Sequence, residues 1–306
     1  MPDPEGGGPA SGGLDSGGPV ALVVIGHAGL ATDQTATGTA TALGGSGYAV
    51  AATASAILAG VAQVGLVAQV GTDLDWTPTL QGKGLSLAGL AVLPGMSARF
   101  VIHQFRDGTR SFGSELGVAA TPRLDLFPDA YLHAEHVHLG SAPPEQQLTW
   151  LRFLRDRGSA ARISVDMFEY FVETEPHASR EACELADLLF MNETEYEGLY
   201  SADKYPKSPV VLKHGAAGAE LIRDGMRHHV RAPVVHEVDP IGAGEVLAGA
   251  LLALHARGLS EEQALRYAVA AATSSITEFG VDGPLLAAEL IRIGTEVSRS
   301  GRSAGC

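Results

Sequence analysis

Only two cysteines, Cys183 and the final Cys306, occur in 306 residues, so no disulfide framework can hold this chain together. Basic charge is scarce as well: Lys+Arg 21 stand against Asp+Glu 35, a formal net charge of -14. That balance argues against nucleic acid or an anionic membrane surface as the main partner. Long apolar runs are also missing, each being broken by Gly, His, Gln or Arg well short of the roughly 20 residues of a bilayer crossing. The start has neither a basic n-region nor an apolar h-region, so no secretory signal is expected and a soluble, cytoplasmic protein is. No Walker Gly-x-x-x-x-Gly-Lys-Ser/Thr occurs. The Gly-x-Gly-x-x-Gly of a dinucleotide fold is approached only at Gly45-Ser46-Gly47, where the third position is Val50 and no strand immediately precedes. What is present is apolar: 45% hydrophobic against 18% charged residues, enough for a sizeable core and incompatible with global disorder.

Residues 1–19 are nearly all Gly, Pro, Ser, Asp and Ala and bury too little to offset the entropy of ordering, which predicts a flexible tail; residues 298–306 read the same way. Between them no interior linker divides the chain. Short apolar runs at 20–25, 64–70, 136–139, 162–166, 188–191 and 210–213 predict strands, the first buried on both faces. Helical patterns occupy 47–60, 145–157, 176–186, 193–200, 242–257, 260–278 and 284–297, with Ser260 a good N-cap. This alternation predicts an α/β fold with a mostly parallel sheet covered on both faces. Residues 98–105 alternate instead like a half-exposed strand, and Asp107-Gly108 follows as a hairpin turn, which predicts a small extra sheet.

Val238-Asp239-Pro240-Ile241-Gly242-Ala243-Gly244-Glu245 leads from a strand-like run at 234–238 through a turn of tiny residues into a long apolar helix. Bare backbone N–H groups at a helix N-terminus can hold an anion, and an acid beside a bound phosphate can take the proton of an attacking hydroxyl. A plain helix start carrying a favourable acid reads the same residues equally well. Three further segments bear on the choice. Gly44-Gly45-Ser46-Gly47 precedes an Ala-rich helix, Asn192-Glu193-Thr194-Glu195 follows one strand end, and Lys213-His214-Gly215-Ala216-Ala217-Gly218 follows another. Strand ends are where ligands bind in parallel sheets.

In this order the four segments resemble the PfkB family of carbohydrate and nucleoside kinases, over about residues 20–297. The resemblance implies a ribokinase-like three-layer sandwich with a mostly parallel central sheet and a small β-sheet lid, here about 34–43 and 97–114. It implies ATP-dependent phosphorylation of a hydroxyl on a sugar, polyol or nucleoside, with Mg2+ and, in some members, K+. By the same resemblance the amides of Gly242, Ala243 and Gly244 hold the transferring phosphoryl group and Glu245 is the base. Asn192 and Glu195 organise magnesium and phosphates, mostly through water. Lys213, Gly215 and Gly218 line the nucleotide, with Ala272 and Ser275 near the adenine and Asp239 at a monovalent-cation site. Asp33, Gly44, Gly45, Tyr48, Phe100 and His103 would meet the acceptor, and the lid's exposed edge would suit a homodimer.

One departure matters. The family acid after the Gly-Ala-Gly turn is almost always Asp, and here it is Glu245. One extra methylene shifts the carboxylate by about 1 Å or more, enough to cost on the order of a hundredfold in rate. The second expectation is therefore a ligand-binding or regulatory protein of the same fold with weakened or lost kinase activity. A nicotinamide-dependent oxidoreductase rests only on the α/β pattern. His133, His136 and His138 lack the partners of a zinc site and read as polar strand residues. His228-His229 reads as a hairpin tip, Asp166 at its strand end equally as a cleft-facing acid or as a cap or loop-ordering residue, and Phe168-Glu169-Tyr170-Phe171 as packing in preference to a stacking box.

Overall fold

The computed structural model describes residues 19–35, 38–80, 82–104, 110–200, 205–280 and 282–303. The turn expected at Asp107-Gly108, residues 1–18 of the expected tail and residues 304–306 lie outside the described residues.

Strand β1 (Val20–Ile25) leads into two strands of the small sheet, β2 (Gly29–Thr35) and β3 (Gly38–Gly44). Helix α1 (Ser46–Leu58) returns the chain to β4 (Gln63–Gly71), and a single turn, α2 (Thr77–Leu80), precedes β5 (Leu85–Leu93). Then β6 (Ala98–Gln104) and β7 (Arg110–Glu115) complete the small sheet. A regular alternation follows through β8 (His136–Leu139), α3 (Pro144–Asp156), β9 (Arg162–Asp166), α4 (Glu169–Thr174), α5 (Pro176–Leu185), β10 (Leu188–Asn192), α6 (Glu193–Leu199) and β11 (Val210–Lys213). The hairpin β12 (Ala219–Arg223) and β13 (Met226–Val230) closes the sheet, and α7 (Ala243–Ala256), α8 (Glu261–Ser275) and α9 (Pro284–Ser303) end the chain.

The large sheet runs β13-β12-β11-β10-β9-β8-β1-β4-β5, with parallel pairing from β5 to β11 and antiparallel pairing at β12 and β13. Both faces are covered, which is why β1 reads as an unbroken apolar run. Its alternate residues serve two cores: Leu22 and Val24 pack with α1, α7, α8 and α9, while Val23 and Ile25 pack with α3, α5 and the aromatic side chains of Phe127, Tyr131 and Trp150. The result is a three-layer α/β arrangement, as expected, with helices on both faces of a mostly parallel sheet. The small sheet has the order β3-β2-β6-β7, antiparallel except where β2 runs parallel to β6.

Four expectations change. The small sheet begins at Gly29 rather than near 34, because the chain turns off the large sheet directly after β1. Residues 234–238 form no strand; Val238 and Asp239 instead donate their amides to the Ile276 carbonyl at the end of α8. His228 and His229 lie within β13, and the hairpin tip is at Asp224-Gly225, where both φ angles are positive. Helix α9 continues to Ser303, so residues 298–303 are not a tail; Ser298 Oγ donates to the Gly294 carbonyl and accepts from Arg257.

Two histidines on β8 give the fold an acid-labile layer. His138 is fully buried, its Nδ1 2.9 Å from Ser164 Oγ, and burial pushes its pKa down to about 3. His136 is pushed down to about 4, by burial first and by His255 and Arg162 second. Unfolded, both groups titrate near 6.5, so the unfolded chain binds more protons as pH falls below that value. Stability from this source is complete above about pH 6.5 and is lost on acidification, by on the order of 3 kcal/mol per histidine at about pH 4. Thermal melts between pH 7 and pH 4 should show the midpoint falling. The His138→Asn variant should melt lower at pH 7 but with a shallower acid slope; a wild-type midpoint unchanged down to pH 4 would refute this account.

Candidate active site

The C-terminal ends of the parallel strands face the small sheet across a cavity of about 900 Å³. One wall is the start of α7. Its N-cap, Gly242, has φ 83°, a left-handed conformation that turns the chain into the helix without a side chain in the way. Glu245 lies in the first helical turn and lines the cavity with Gly242. Asp239, buried to 4% exposure, orders the approach: its Oδ1 accepts the Ile241 amide at 3.0 Å and its Oδ2 the Gly280 amide at 3.2 Å.

Behind this turn, three neighbouring strands each contribute one polar group at their ends. Asp166 closes β9, Asn192 closes β10 and Lys213 closes β11, with Asn192 and Lys213 paired in register. Asn192 caps α6: its Oδ1 accepts the Glu195 amide at 2.8 Å, and the Glu195 carboxylate accepts Asn192 N at 2.7 Å and Nδ2 at 3.2 Å. This reciprocal box fixes Glu195 at 3% exposure. Burial pushes the Glu195 carboxyl upward against the pull of Lys213. Lys213 Nζ donates to Asp166 Oδ1 at 2.7 Å. Burial opposes the ammonium charge, but Asp166, Glu195 and Glu245 outweigh it and hold the lysine pKa above its ordinary value. Asp166 moves up as well, through burial first, with Lys213 pulling it back. Three carboxylates and one ammonium thus meet below the α7 turn.

Among the described residues no three His, Cys, Asp or Glu side chains converge as a ready metal cage. The donor set fits magnesium all the same. That ion takes hard oxygen donors, keeps several waters, and needs only one or two carboxylates when phosphates supply the rest. Glu195 offers such a carboxylate, with Asn192 holding it in place.

Of the residues expected to meet the acceptor, Asp33, Gly44, Gly45 and Phe100 line the cavity. Two do not. Tyr48 has no exposed surface and packs in the core under α1, its hydroxyl donating to Asp282 Oδ2 at 2.8 Å. Third in a helix whose next turns are buried, it points inward rather than toward the cavity. His103 is exposed on the far face of β6, since strand alternation turns Phe100 and Ile102 into the cavity and 103 away. On the nucleotide side, Gly215 is exposed in the turn after β11. Gly218 is buried against the end of β13, where a Cβ would meet the Val230 carbonyl at 2.0 Å. Ala272 and Ser275 lie in the last turn of α8, joined by a 2.8 Å bond from Ser275 Oγ to the Ala272 carbonyl.

The structure adds residues that the sequence reading passed over. Phe168, Tyr170 and Phe171, read as packing, line the cavity, as do His27, Phe112 and Phe279. Phe112 bridges two rings, stacked on Phe100 at 6.2 Å and edge-on to Phe168 at 4.9 Å. Phe168 stands two residues past the end of β9, so the strand-end rule could have found it. The contact between Phe112 and Phe168 spans the small sheet and the main body, and no local signal announces it.

A family model described as pfkB family carbohydrate kinase matches residues 22–288. A cytidine kinase from Thermococcus kodakarensis is 30% identical over 276 residues, covering 85% of this chain and 97% of its own length. Among solved structures, a nucleoside kinase from Burkholderia thailandensis in complex with inosine superposes with a TM-score of 0.76 at 19% identity, covering 90% of this chain and 98% of that one. A ribokinase from Thermotoga maritima superposes with a TM-score of 0.71 at 19% identity, covering 92% and 99%.

Proposed function

The chain belongs to the pfkB family and is a carbohydrate or nucleoside kinase, and we propose that its acceptor is a hydroxyl of a nucleoside. The observation that carries the choice is the aromatic wall of Phe100, Phe112 and Phe168 inside the cavity. A planar base gains offset or edge contacts with such rings, whereas a free sugar or polyol presents no π face. At about 900 Å³ the space is also generous for a bare pentose and within the usual range for drug-sized ligands. The relative named a cytidine kinase agrees with this reading.

Family membership implies ATP as donor and usually magnesium, which supplies charge neutralisation at the phosphates. In the proposed reaction Glu245 takes the hydroxyl proton, the acceptor oxygen bonds to the γ-phosphorus, and the bond to the ADP oxygen breaks. The amides of Gly242, Ala243 and Gly244 take up the charge on the transferring group. Asp33 would accept hydroxyls of the sugar, with Gly44 and Gly45 allowing close approach. Asn192 and Glu195 would hold magnesium through water, and the turn at Gly215 and Gly218 together with Ala272 and Ser275 would receive the nucleotide. A potassium ion beside Asp239 is part of the proposal too, read out by comparing rates in potassium and tetramethylammonium salts.

The test is ADP release with magnesium-ATP over a panel of nucleosides, pentoses, hexoses and inositols. A nucleoside is expected to exceed every free sugar by at least about tenfold in kcat/KM, the discrimination that lost ring contacts alone would give. A free sugar or polyol as best acceptor, or no turnover on any of them, would overturn the proposal.

A further inference from the structure

Family membership accounts for the anion-binding turn and the acid after it, but not for the buried ion pair beneath them. We propose that Lys213, tethered by Asp166, is a positioning residue of the phosphoryl-transfer centre: its ammonium fills the space under Gly244 and braces the turn that presents the amides and Glu245. This rests on the kinase reading above.

The geometry is specific. A Cβ added at Gly244 would lie 3.4 Å from Lys213 Nζ and 3.5 Å from its Cδ, so the lysine stem and head pack directly against the backbone of the turn. Asp166, 1% exposed at the end of β9, holds the ammonium from the other side at 2.7 Å. The lysine side chain itself keeps only 18% of its surface exposed. An ammonium so placed does two things that a nucleotide-lining lysine need not do. It fixes the height of the α7 turn above the sheet, and it sets a positive charge next to the amides where negative charge gathers during transfer. It also offsets like-charge repulsion among Asp166, Glu195 and Glu245, the other charged groups of this cluster, each of which interacts with it. Glu169, from α4, faces Glu195 and adds to that repulsion.

A purely structural ion pair would be dispensable as a pair. Replacing a buried pair by apolar or neutral groups of similar volume is often neutral for stability, whereas removing one partner strands the other charge. The deciding comparison is therefore Lys213→Met against the double variant Asp166→Asn/Lys213→Met. Turnover would be measured with the best nucleoside of the panel, and thermal melts with and without a magnesium-bound non-hydrolysable ATP analogue. Lys213→Met is expected to melt well below the wild type, and the double variant to recover most of that loss. Both are expected to lose on the order of a hundredfold in kcat. Nucleoside KM and the melting shift produced by the analogue should stay close to the wild type in the double variant. Recovery of kcat along with stability would overturn the proposal and leave the pair a packing device. A lost analogue shift with unchanged kcat would also overturn it, returning Lys213 to nucleotide binding. A wild type inactive on every acceptor would overturn the kinase reading and this inference together, whereas an active wild type with an equally active double variant removes this inference alone.

Discussion

Replacing Glu245 by Gln is expected to lower kcat by a factor of about 10² to 10⁴, the usual contribution of a positioned general base, with little change in the acceptor KM. The amide keeps the shape of the side chain and loses only the ability to take a proton. The position supports this size of effect. Glu245 stands in the first turn of α7, three residues after the Gly242 N-cap, and shares the cavity wall with Asp33 and Gly45. A helix start carrying a merely favourable acid would behave differently, since losing its interaction with the helix dipole costs about 0.3–1 kcal/mol of stability and leaves turnover alone. Steady-state rates and a thermal melt on the same preparation separate the two. A Gln variant with wild-type kcat would remove Glu245 from the chemistry.

The Asp variant asks a second question of the same position. Family enzymes usually carry Asp here, yet the shorter side chain is expected to be worse in this chain, by about a hundredfold. Withdrawing the carboxylate by one methylene draws it back by about 1 Å toward the α7 backbone, away from the cavity that Glu245 lines. A faster Asp variant would mean that the longer acid is a handicap this protein carries.

The parts of this site that were legible in the sequence are those where backbone dictates residue type. Gly242 with its positive φ and the Asn192–Glu195 capping box are local devices, so their residues stand within a few positions of one another. The strand–helix rhythm was legible for the same reason. What failed depended on direction or on distance along the chain. Tyr48 was placed by the family resemblance alone, and in this chain its ring turns into the core. His103 and Phe100 cannot share a strand face, three residues being an odd number, and parity alone would have excluded one of them. Strand β5 is broken by polar and small residues, and its pairing with β4 is what makes it a strand. The Asp166–Lys213 pair joins residues 47 apart, and only the folded sheet brings the ends of β9 and β11 to the same place.

The anion-binding role proposed for the turn can be isolated because α7 has a left-handed glycine at each end. Gly242 at the N-terminus has φ 83°, and Gly258, just past the C-terminus, has φ 87° with nothing within 4 Å of a built Cβ. Alanine at either position meets nearly the same backbone penalty, about 1–2 kcal/mol for an L-residue held left-handed. Gly242→Ala and Gly258→Ala should therefore lower the melting temperature by similar amounts, a few degrees in a protein of this size. Their effects on catalysis should diverge. Relief of strain at position 242 rotates the peptides that follow, and oxyanion-type donors moved off target cost on the order of 10²-fold in kcat or more. Relief at position 258 moves only the opposite end of α7, about 20 Å along the helix from Gly242, and kcat should remain within about twofold. If both variants lose stability alike and neither loses rate, the amides of Gly242 to Gly244 do not carry the transferring charge, whatever Glu245 does beside them.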